Sequence, residues 1–408
     1  MTFNMTFVKK DTKNLAVKLN AKGEQFVVKG HPWVFSNSIV KINDDAKTGD
    51  LAIIFSKNKN KVVGFGLYDA NSPIRIKIIH NAETKVKIDA AFFQHKIELA
   101  FEKRLELLQT NTNSYRLLFG ENDGFPGLIA DVYDTVLVVK LYSEIWLPYL
   151  DPILKSLQQI SKAETVVMRL SRSLQNSTNH SLKDGEVIYG TLDNEVVEFV
   201  EHDVKFSANV IKGHKTGYFL DHRDNRRRVG EMSKGKSVLD VFSYAGGFSV
   251  HALAKGATEV TSLDISKQAL DMARENGKLN AYTGQHKTIS GDAFVEMKAL
   301  IQKGKTYDVV VIDPPSFAKQ QSEIDLAKKK YAQLAELGEK LTAKNGLLVL
   351  ASCSSRVLAQ AFFDLNSQVL NSKSRLFETE LKTKHDIDHP IAFPEGAYLK
   401  CGYYRFLE

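Results

Sequence analysis

The sequence predicts an α/β protein of three parts: a small β-barrel, a central mixed α/β segment and a C-terminal doubly wound parallel sheet. Three observations lead there. Short β-branched and aromatic runs broken by Asn, Asp and Gly fill the first 82 residues. A helical periodicity follows, and then a mixture of strand and helix patterns. From about residue 206 apolar strands alternate with helices, the pattern of parallel strands joined by crossovers. The expected domains are 1–82, 83–205 and 206–408, which agrees with the two to three that 408 residues imply at roughly 100–200 residues each.

Composition sets the class. Hydrophobic residues make up 43% and charged residues 25%, which is globular usage and argues against wholesale disorder. The net charge of +7 suits an anionic partner, although an ordinary basic enzyme would look the same. Two cysteines, Cys353 and Cys401, are too few for a disulfide framework. Residues Met1 to Lys10 lack the apolar core and cleavage site of a signal peptide, and no apolar run approaches the roughly 20 residues that span a bilayer. The expectation is a cytoplasmic protein with no membrane partner.

In the barrel, strands are expected at Leu15–Leu19, Phe26–Val28, Leu51–Phe55, Val62–Gly66 and Ile74–Ile79. Residues 87–109 read as a helix with Ile88, Phe92, Ile97, Phe101, Leu105 and Leu108 on one face. Leu128–Tyr133 and Val136–Leu141 flank Asp134-Thr135 as a hairpin. Pro148–Ile160 is helical, and Thr165–Leu170 and Asn194–Val200 are strands.

The strongest local signal is Ser237-Val238-Leu239-Asp240-Val241-Phe242-Ser243-Tyr244-Ala245-Gly246-Gly247-Phe248-Ser249. A strand runs into an acid, a glycine pair and a helix starting near Phe248. Glycines let a ligand approach the backbone, and a helix N-terminus offers free amides. The spacing is not Gly-x-Gly-x-x-Gly, which weakens a dinucleotide reading. Asp264 ends the next strand, where a carboxylate can accept both hydroxyls of a ribose. Asp292 follows the third strand and can accept an adenine amino group. Each acid alone could be a helix cap or loop residue. Three in this order describe the rim of a parallel sheet, where such folds bind ligands.

The fourth strand, Tyr307–Ile312, delivers Asp313-Pro314-Pro315-Ser316-Phe317. The prolines stiffen a floor against which a flat base can lie. The fifth strand delivers Ser352-Cys353-Ser354-Ser355. A lone cysteine is usually inert packing. Polar neighbours and a helix expected after Ser355 favour instead a reactive thiolate at Cys353. Cys401, in a late strand, reads as structural. A thiol beside an acid suits covalent catalysis on a pyrimidine: thiolate attack on carbon 6 makes carbon 5 nucleophilic, and Asp313 stabilises the charge that develops on ring nitrogen 3. The base that removes the carbon 5 proton is not identified.

These runs resemble motifs IV and VI of the RlmI-type class I methyltransferases, which form 5-methylcytosine in large-subunit (23S) ribosomal RNA. The resemblance extends over nearly the whole chain. Gly30-His31-Pro32-Trp33-Val34-Phe35-Ser36 is similar to the family's N-terminal PUA segment. Gly120-Glu121-Asn122-Asp123-Gly124-Phe125-Pro126-Gly127-Leu128 is similar to the opening of its central domain, and Gly213 to Arg223 to the segment over the cofactor. Asp388-His389-Pro390 and Pro394 to Lys400 resemble its C-terminus. One departure is Lys329-Lys330-Tyr331-Ala332, where the family usually has Arg-Gly-Tyr-Lys.

The resemblance implies a PUA-like barrel, a central mixed α/β domain and a Rossmann-like class I methyltransferase domain. It implies S-adenosyl-L-methionine as cofactor, no metal, and Cys353 as nucleophile with Asp313 positioning the base. The expected cofactor set is Phe219, Asp221, Arg223, Asp240, Phe242, Ser243, Gly246, Asp264, Ile265, Asp292, Ala293 and Asp313. The expected RNA contacts are Pro314, Pro315, Phe317, Lys329, Lys330 and Trp33. The partner is RNA, in ribosomal RNA or an assembling large subunit; a homodimer is left open. Two other readings stand beside this one: methylation of uracil carbon 5 or a guanine on the same fold, and a non-catalytic RNA-binding or assembly factor that holds cofactor.

Overall fold

Asn20 begins the first departure from the expected strand pattern. Its side chain accepts a hydrogen bond from Gly23 N at 2.8 Å and so caps a helix, α1 (Ala21–Val28), where Phe26–Val28 had been expected to be a strand. At helical spacing Gly23 and Val27 turn inward together. A Cβ at Gly23 would stand 2.8 Å from Ser38 Cβ, so only glycine lets the helix lie this close. The structure is a computed structural model and describes residues 3, 11–57, 61–81 and 86–407. The expectations for the leader region 1–10 (apart from residue 3) and for a boundary at 82/83 lie outside the described residues.

Chain contacts divide the protein into two units: Met1–Val200 with Ser207–Leu220 and Ile387–Gly396, and Glu201–Phe206 with Asp221–Asp386 and Ala397–Glu408. In the first unit β1 (Asn14–Leu19), α1, β2 (Trp33–Phe35), β3 (Ile39–Lys41), β4 (Leu51–Phe55), β5 (Val62–Tyr68) and β6 (Ile74–His80) build a six-stranded sheet of order β2-β6-β5-β4-β1-β3. Period-two alternation sends Leu15, Val17, Leu19, Ala52, Ile54, Ile76 and Ile78 into one core with Val27 and Val34. The short strands β2 and β3 were not expected.

Next come α2 (Ala90–Glu102), α3 (Leu105–Leu108), β7 (Ser114–Phe119), β8 (Leu128–Tyr133), β9 (Val136–Leu141), α4 (Leu150–Ser161), β10 (Thr165–Leu170), α5 (Arg172–Gln175) and β11 (Glu186–Tyr189). Their sheet has the order β11-β10-β9-β8-β7, with the expected β8–β9 hairpin turning at Asp134, φ 53°. The single helix expected over 87–109 breaks into α2 and α3, while Ile88, Phe92, Ile97, Phe101 and Leu108 of its expected face do pack on the core. Phe93, Ile97 and Ala100 are buried, whereas Leu105 is 44% exposed. Arg104, between α2 and α3, is fully buried. Its guanidinium meets Asp123 Oδ2 at 2.6 Å and donates to the carbonyls of Ala100, Arg116 and Asp388.

The strands β12 (Val196–Glu201) and β13 (Val204–Asn209) form a two-stranded ribbon. The second unit then runs α6 (Arg223–Met232), β14 (Ser237–Val241), α7 (Gly247–Ala254), β15 (Glu259–Asp264), α8 (Lys267–Lys278), β16 (Gln285–Ser290), α9 (Ala293–Gln302), β17 (Tyr307–Ile312), α10 (Ile324–Leu341), β18 (Thr342–Ser352), α11 (Ala359–Asn371), β19 (Phe377–Thr383) and β20 (Lys400–Phe406). The seven strands order as β16-β15-β14-β17-β18-β20-β19, with β14 to β18 parallel and β20 antiparallel to its neighbours. Strand order reverses between β14 and β17, so the loops after them open at a switch point. Both faces are apolar: Leu239, Val310, Ile312 and Leu348 pack on one, Val238, Val309, Val311 and Val349 on the other. Among the described residues no helix is long and apolar enough to cross a membrane.

Removing one partner of a buried ion pair strands the other charge. Asp123→Ala is therefore expected to cost about 3–5 kcal/mol of unfolding free energy. Denaturant titration checks this, and a loss below about 1 kcal/mol would contradict the role given to Arg104.

Candidate functional site

Between β14 and α7 the backbone alternates into the left-handed region at Phe242 (φ 64°), Tyr244 (φ 47°) and Gly246 (φ 78°). Non-glycine residues there are strained and need support. Phe242 N and Ser243 N both donate to Leu263 O, at 2.9 and 3.1 Å. Tyr244 N donates to Asp264 Oδ2 at 2.9 Å, and Asn276 Nδ2 to Ala245 O at 3.0 Å. A Cβ at Gly246 would meet Ala273 Cβ at 2.7 Å, so α8 packs directly on the turn.

Asp240 lies inside β14, not at its end, and is 1% exposed. Its Oδ2 accepts from Ser249 N at 3.0 Å and Ser249 Oγ at 2.6 Å, which ties the first turn of α7 down to the strand. Burial pushes its carboxyl up to about 7, against the pull of those hydrogen bonds. This geometry makes Asp240 a brace beneath the turn. Asp240 Oδ1 and Ser243 Oγ are buried without hydrogen-bond partners among the described residues. They leave polar capacity at the turn for a bound group.

Asp264 does end its strand. One oxygen accepts Tyr244 N, the other Ser266 N at 2.9 Å, so the carboxylate is oriented and retains acceptor capacity. Ile265, beside it, is 73% exposed. Asp292 is exposed and caps α9 through Val295 N at 3.1 Å, with Ala293 buried behind it. Phe242 packs against the core cluster that holds Val241, Met297 and Ile312. An oriented acid, an exposed aliphatic surface, a close-packed turn and unpartnered polar atoms fit a nucleoside bearing a charged amino-acid tail.

Asp221 Oδ2 accepts from Tyr398 OH at 2.7 Å. Arg223 is fully buried and its Nη1 meets Asp386 Oδ2 at 2.9 Å, so in this structure it is a brace. Phe219 belongs to the first unit, where Lys215 Nζ lies 5.1 Å above its ring.

Asp313 leaves β17 with its N–H on Val241 O at 3.3 Å, and its Oδ1 stands 3.3 Å from His222 Nε2. Asn225 Oδ1 accepts from Tyr403 OH and Thr383 Oγ, so its amide NH2 faces His222 Nδ1 at 3.1 Å. In the neutral ring that leaves the proton on Nε2, the nitrogen nearest Asp313. Burial opposes a cationic ring, but the Asp313 carboxylate outweighs it and holds His222 above the usual histidine range.

The loops after β17 and β18 are stitched together. Cys353 Sγ lies 3.8 Å from Pro314 O and is half-buried. Ser354 Oγ donates to Ala318 O at 3.2 Å, and Ser352 Oγ to Tyr331 OH at 2.9 Å. Burial pushes the Tyr331 phenol up to about 12. Its ring packs 5.2 Å from that of Phe317, over which Lys330 Nζ sits at 4.9 Å. Pro314 is buried, whereas Pro315 and Lys329 are exposed. The thiol and the Asp313 carboxylate therefore share one rim. The helix expected after Ser355 starts only at Ala359.

Trp33, in the first unit, donates from Nε1 to Glu121 Oε1 at 3.2 Å and meets Phe393 edge-on at 5.1 Å. It borders a cavity of about 330 Å³ with Phe26, His31 and Glu395 among its walls. His222, Tyr331 and Lys400 were not assigned from sequence. The signal for Lys400 was a lysine opening a strand whose next four residues carry no charge.

The family model for S-adenosylmethionine-dependent methyltransferases matches residues 115–389, and that for PUA-like domains matches 17–81. A ribosomal RNA large subunit methyltransferase of Deinococcus radiodurans is 39% identical, covering 95% of this chain and 96% of its own. The ribosomal RNA large subunit methyltransferase I of Aeromonas salmonicida is 33% identical over 92% and 96%. Among solved structures, one from Streptococcus mutans, a candidate SAM-dependent methyltransferase, superposes with TM-score 0.79 at 20% identity, covering 96% of this chain and 99% of that one. SMU.776, crystallised with SAH, gives 0.78 at 20% identity over 97% and 100%. These structures are alike in fold.

Gly246→Ala would add both a strained φ and a clash with α8. It is expected to cost about 1–3 kcal/mol in chemical unfolding; unchanged stability would show that the turn tolerates a side chain.

Proposed function

This chain belongs to the S-adenosylmethionine-dependent methyltransferase family, and on that premise we propose that it methylates carbon 5 of a cytosine in large-subunit ribosomal RNA through a covalent adduct on Cys353. The names of its relatives support the RNA substrate. The observation that carries the chemistry is the half-buried thiol of Cys353 beside the Pro314 carbonyl, on the rim where Asp313 emerges.

S-adenosylmethionine, when bound, supplies an electrophilic methyl group. Asp264 and Asp292 would hold its nucleoside, Ile265 would cover the adenine, and Ser243 with the Gly246 turn would hold its tail. Cys353 attacks carbon 6 of the base as thiolate, forming a sulfur–carbon bond and pushing electron density onto carbon 5 and ring nitrogen 3. Asp313 takes a proton from His222, 3.3 Å away, and passes it to nitrogen 3 as charge develops there. After carbon 5 is methylated, a base takes its proton, the electrons of that carbon–hydrogen bond re-form the carbon 5–carbon 6 double bond, and the sulfur–carbon 6 bond breaks with its electron pair returning to Cys353. Pro314 and Phe317 form the wall against which the ring lies. Lys329 and Lys330 meet phosphates.

In this proposal residues 1–82, with Trp33, dock RNA, 83–205 form the connecting helix and central domain, and 206–408 carry the reaction in the cytoplasm on ribosomal RNA or an assembling subunit. A target base inside a helix has to be flipped out to reach Cys353.

Two outcomes are expected. Cys353→Ala should lose methyl transfer to RNA by at least about a thousandfold while cofactor affinity in calorimetry stays within about twofold, because the thiol bonds the base and not the cofactor. Mass spectrometry of the labelled product should show 5-methylcytidine; a methylated guanine, or normal turnover by the alanine variant, would sink the covalent reading. Separately, Asp264→Ala should weaken cofactor binding by about 10–100-fold, as loss of hydrogen bonds to a charged group does. Unchanged affinity would remove Asp264 from the cofactor site.

A further inference from the structure

The strand beside Cys353 carries a charge that the reaction above does not use. In β20 every residue except Arg405 is buried, and Lys400, its first residue, is 1% exposed. Antiparallel pairing sets Lys400 opposite Ser352 and Cys401 opposite Ala351. Lys400 is thus across the ladder from the residue that precedes the thiol. Its ammonium donates to Ser354 O, on the residue that follows the thiol, and to Tyr398 O at 3.0 Å. Two carbonyls use two of its three donors. A buried ammonium is costly, and carbonyl dipoles alone offset only part of that cost. Burial accordingly lowers Lys400 to about 8, and the opposing influence is the charge of Cys353.

Other ionisable groups stand near this rim in different settings. Asp313 stands at the end of β17 beside His222, and Tyr331, on α10, is held neutral by burial. His222 is engaged with Asp313. Arg356, in the turn after Cys353, is exposed to solvent. Cys401 is sealed in the core, its thiol pushed far up by burial. α11 begins too late to place its first turn at the sulfur.

We propose that Lys400 is a positioning residue for the methyl transfer: its buried ammonium is the counter-charge of the Cys353 thiolate, and its hydrogen bond to Ser354 O holds the turn that presents the sulfur at the rim. The inference rests on the reading of Cys353 as nucleophile. In the free protein the thiol loses its proton to solvent and Lys400 stabilises the anion. When the sulfur–carbon bond forms, negative charge leaves for the base; when it breaks, the electron pair returns to a sulfur that again faces the cation. Lys400 therefore eases both the supply of nucleophile and its departure. A thiolate beside Asp313 without that cation would be disfavoured by like charge.

The test uses the full-length protein and iodoacetamide, whose reaction reports the thiolate and needs neither RNA nor cofactor. Cys353 alkylation is followed against pH in the native protein, in Lys400→Gln, which keeps a donor for Ser354 O but drops the charge, and in Lys400→Arg. Cys353→Ala supplies the background. The native midpoint should lie below the ordinary thiol value of about 8.5. Lys400→Gln should raise it by about one unit, a roughly tenfold slower reaction at pH 7, and Lys400→Arg should restore most of the shift. Superimposable profiles for the native protein and Lys400→Gln overturn the proposal. So does a native midpoint at or above 8.5, a result that stands even if the glutamine variant does not fold. Continued methylation by Cys353→Ala would instead defeat the covalent reading, leaving the alkylation profile to judge the lysine–thiol pairing separately.

Discussion

Parallel pairing of β14, β17 and β18 is the constraint on which the site depends. Parallel strands all end at the same edge of a sheet, so the pairing delivers to one rim side chains that are remote in sequence. The registers Val241↔Ile312 and Ile312↔Leu350 put the three exits side by side. The Asp313 N–H then reaches the Val241 carbonyl and continues the pairing one residue beyond the strand. From there the two exit loops exchange hydrogen bonds through Pro314, Ala318, Cys353 and Ser354. The thiol's position is thus set by sheet register and not by the flexibility of a loop. The apolar cores on both faces hold that register in place.

Legibility in the sequence followed the same division. The strands β14, β15, β17 and β18 were readable because burial on both faces demands near-continuous apolar runs, and the glycine turn was readable because few residues accept its backbone. The same logic failed for Phe26–Val28, whose β-branched and aromatic composition suited a strand while the capping Asn20 and the side-chain-free Gly23 made it helical. It failed again at the end of α2, where one helix was expected through residue 109 and the chain instead breaks before α3, leaving Leu105 exposed beside a buried Arg104 whose partner Asp123 comes from another element. No one-dimensional pattern carries a charge pair between distant segments. Asp240 was misplaced for a related reason. An acid near a strand end looks like a rim residue, and only the partnership with Ser249 reveals that it faces inward.

The buried ionisable groups of the second unit form a graded set. Asp240 is raised by burial and sits under the turn. His222 and Asp313 share a proton direction fixed by Asn225, Tyr403 and Thr383. Lys400 is lowered by burial next to the thiol. Desolvation acts on Asp240, His222 and Lys400 in the direction that disfavours charge, and a specific neighbour acts against it. Such opposition is found where groups must change protonation or charge during a reaction, although structural ion pairs produce it too. Glu201 shows the structural version: fully buried, it is held far below the usual carboxylate range by Arg226 and His251, well away from any change of charge. The rim groups differ in reaching solvent, with Asp313 24% exposed and Cys353 half-buried.

Strain in the turn after β14 links the cofactor side of the site to its stability. Two non-glycine residues in the left-handed region cost on the order of 1–3 kcal/mol each. The hydrogen bonds from Tyr244 to Asp264 and from Ser249 to Asp240 offset that cost. Asp264 therefore has two tasks, holding the turn with one oxygen and remaining available to a ligand through its other lone pairs. A ligand that binds Asp264 finds the turn already formed, since the carboxylate is oriented by Tyr244 N and Ser266 N before anything arrives. The conformational cost of shaping the site is met in folding, and less of it is charged against binding. For this reason replacements at Asp264 differ in meaning. Asparagine can still accept the Tyr244 N–H with its carbonyl and so keeps the turn, whereas alanine removes the support and the ligand contact together. The gap between the two measures how much of the site's affinity comes from a turn that is prepared in advance.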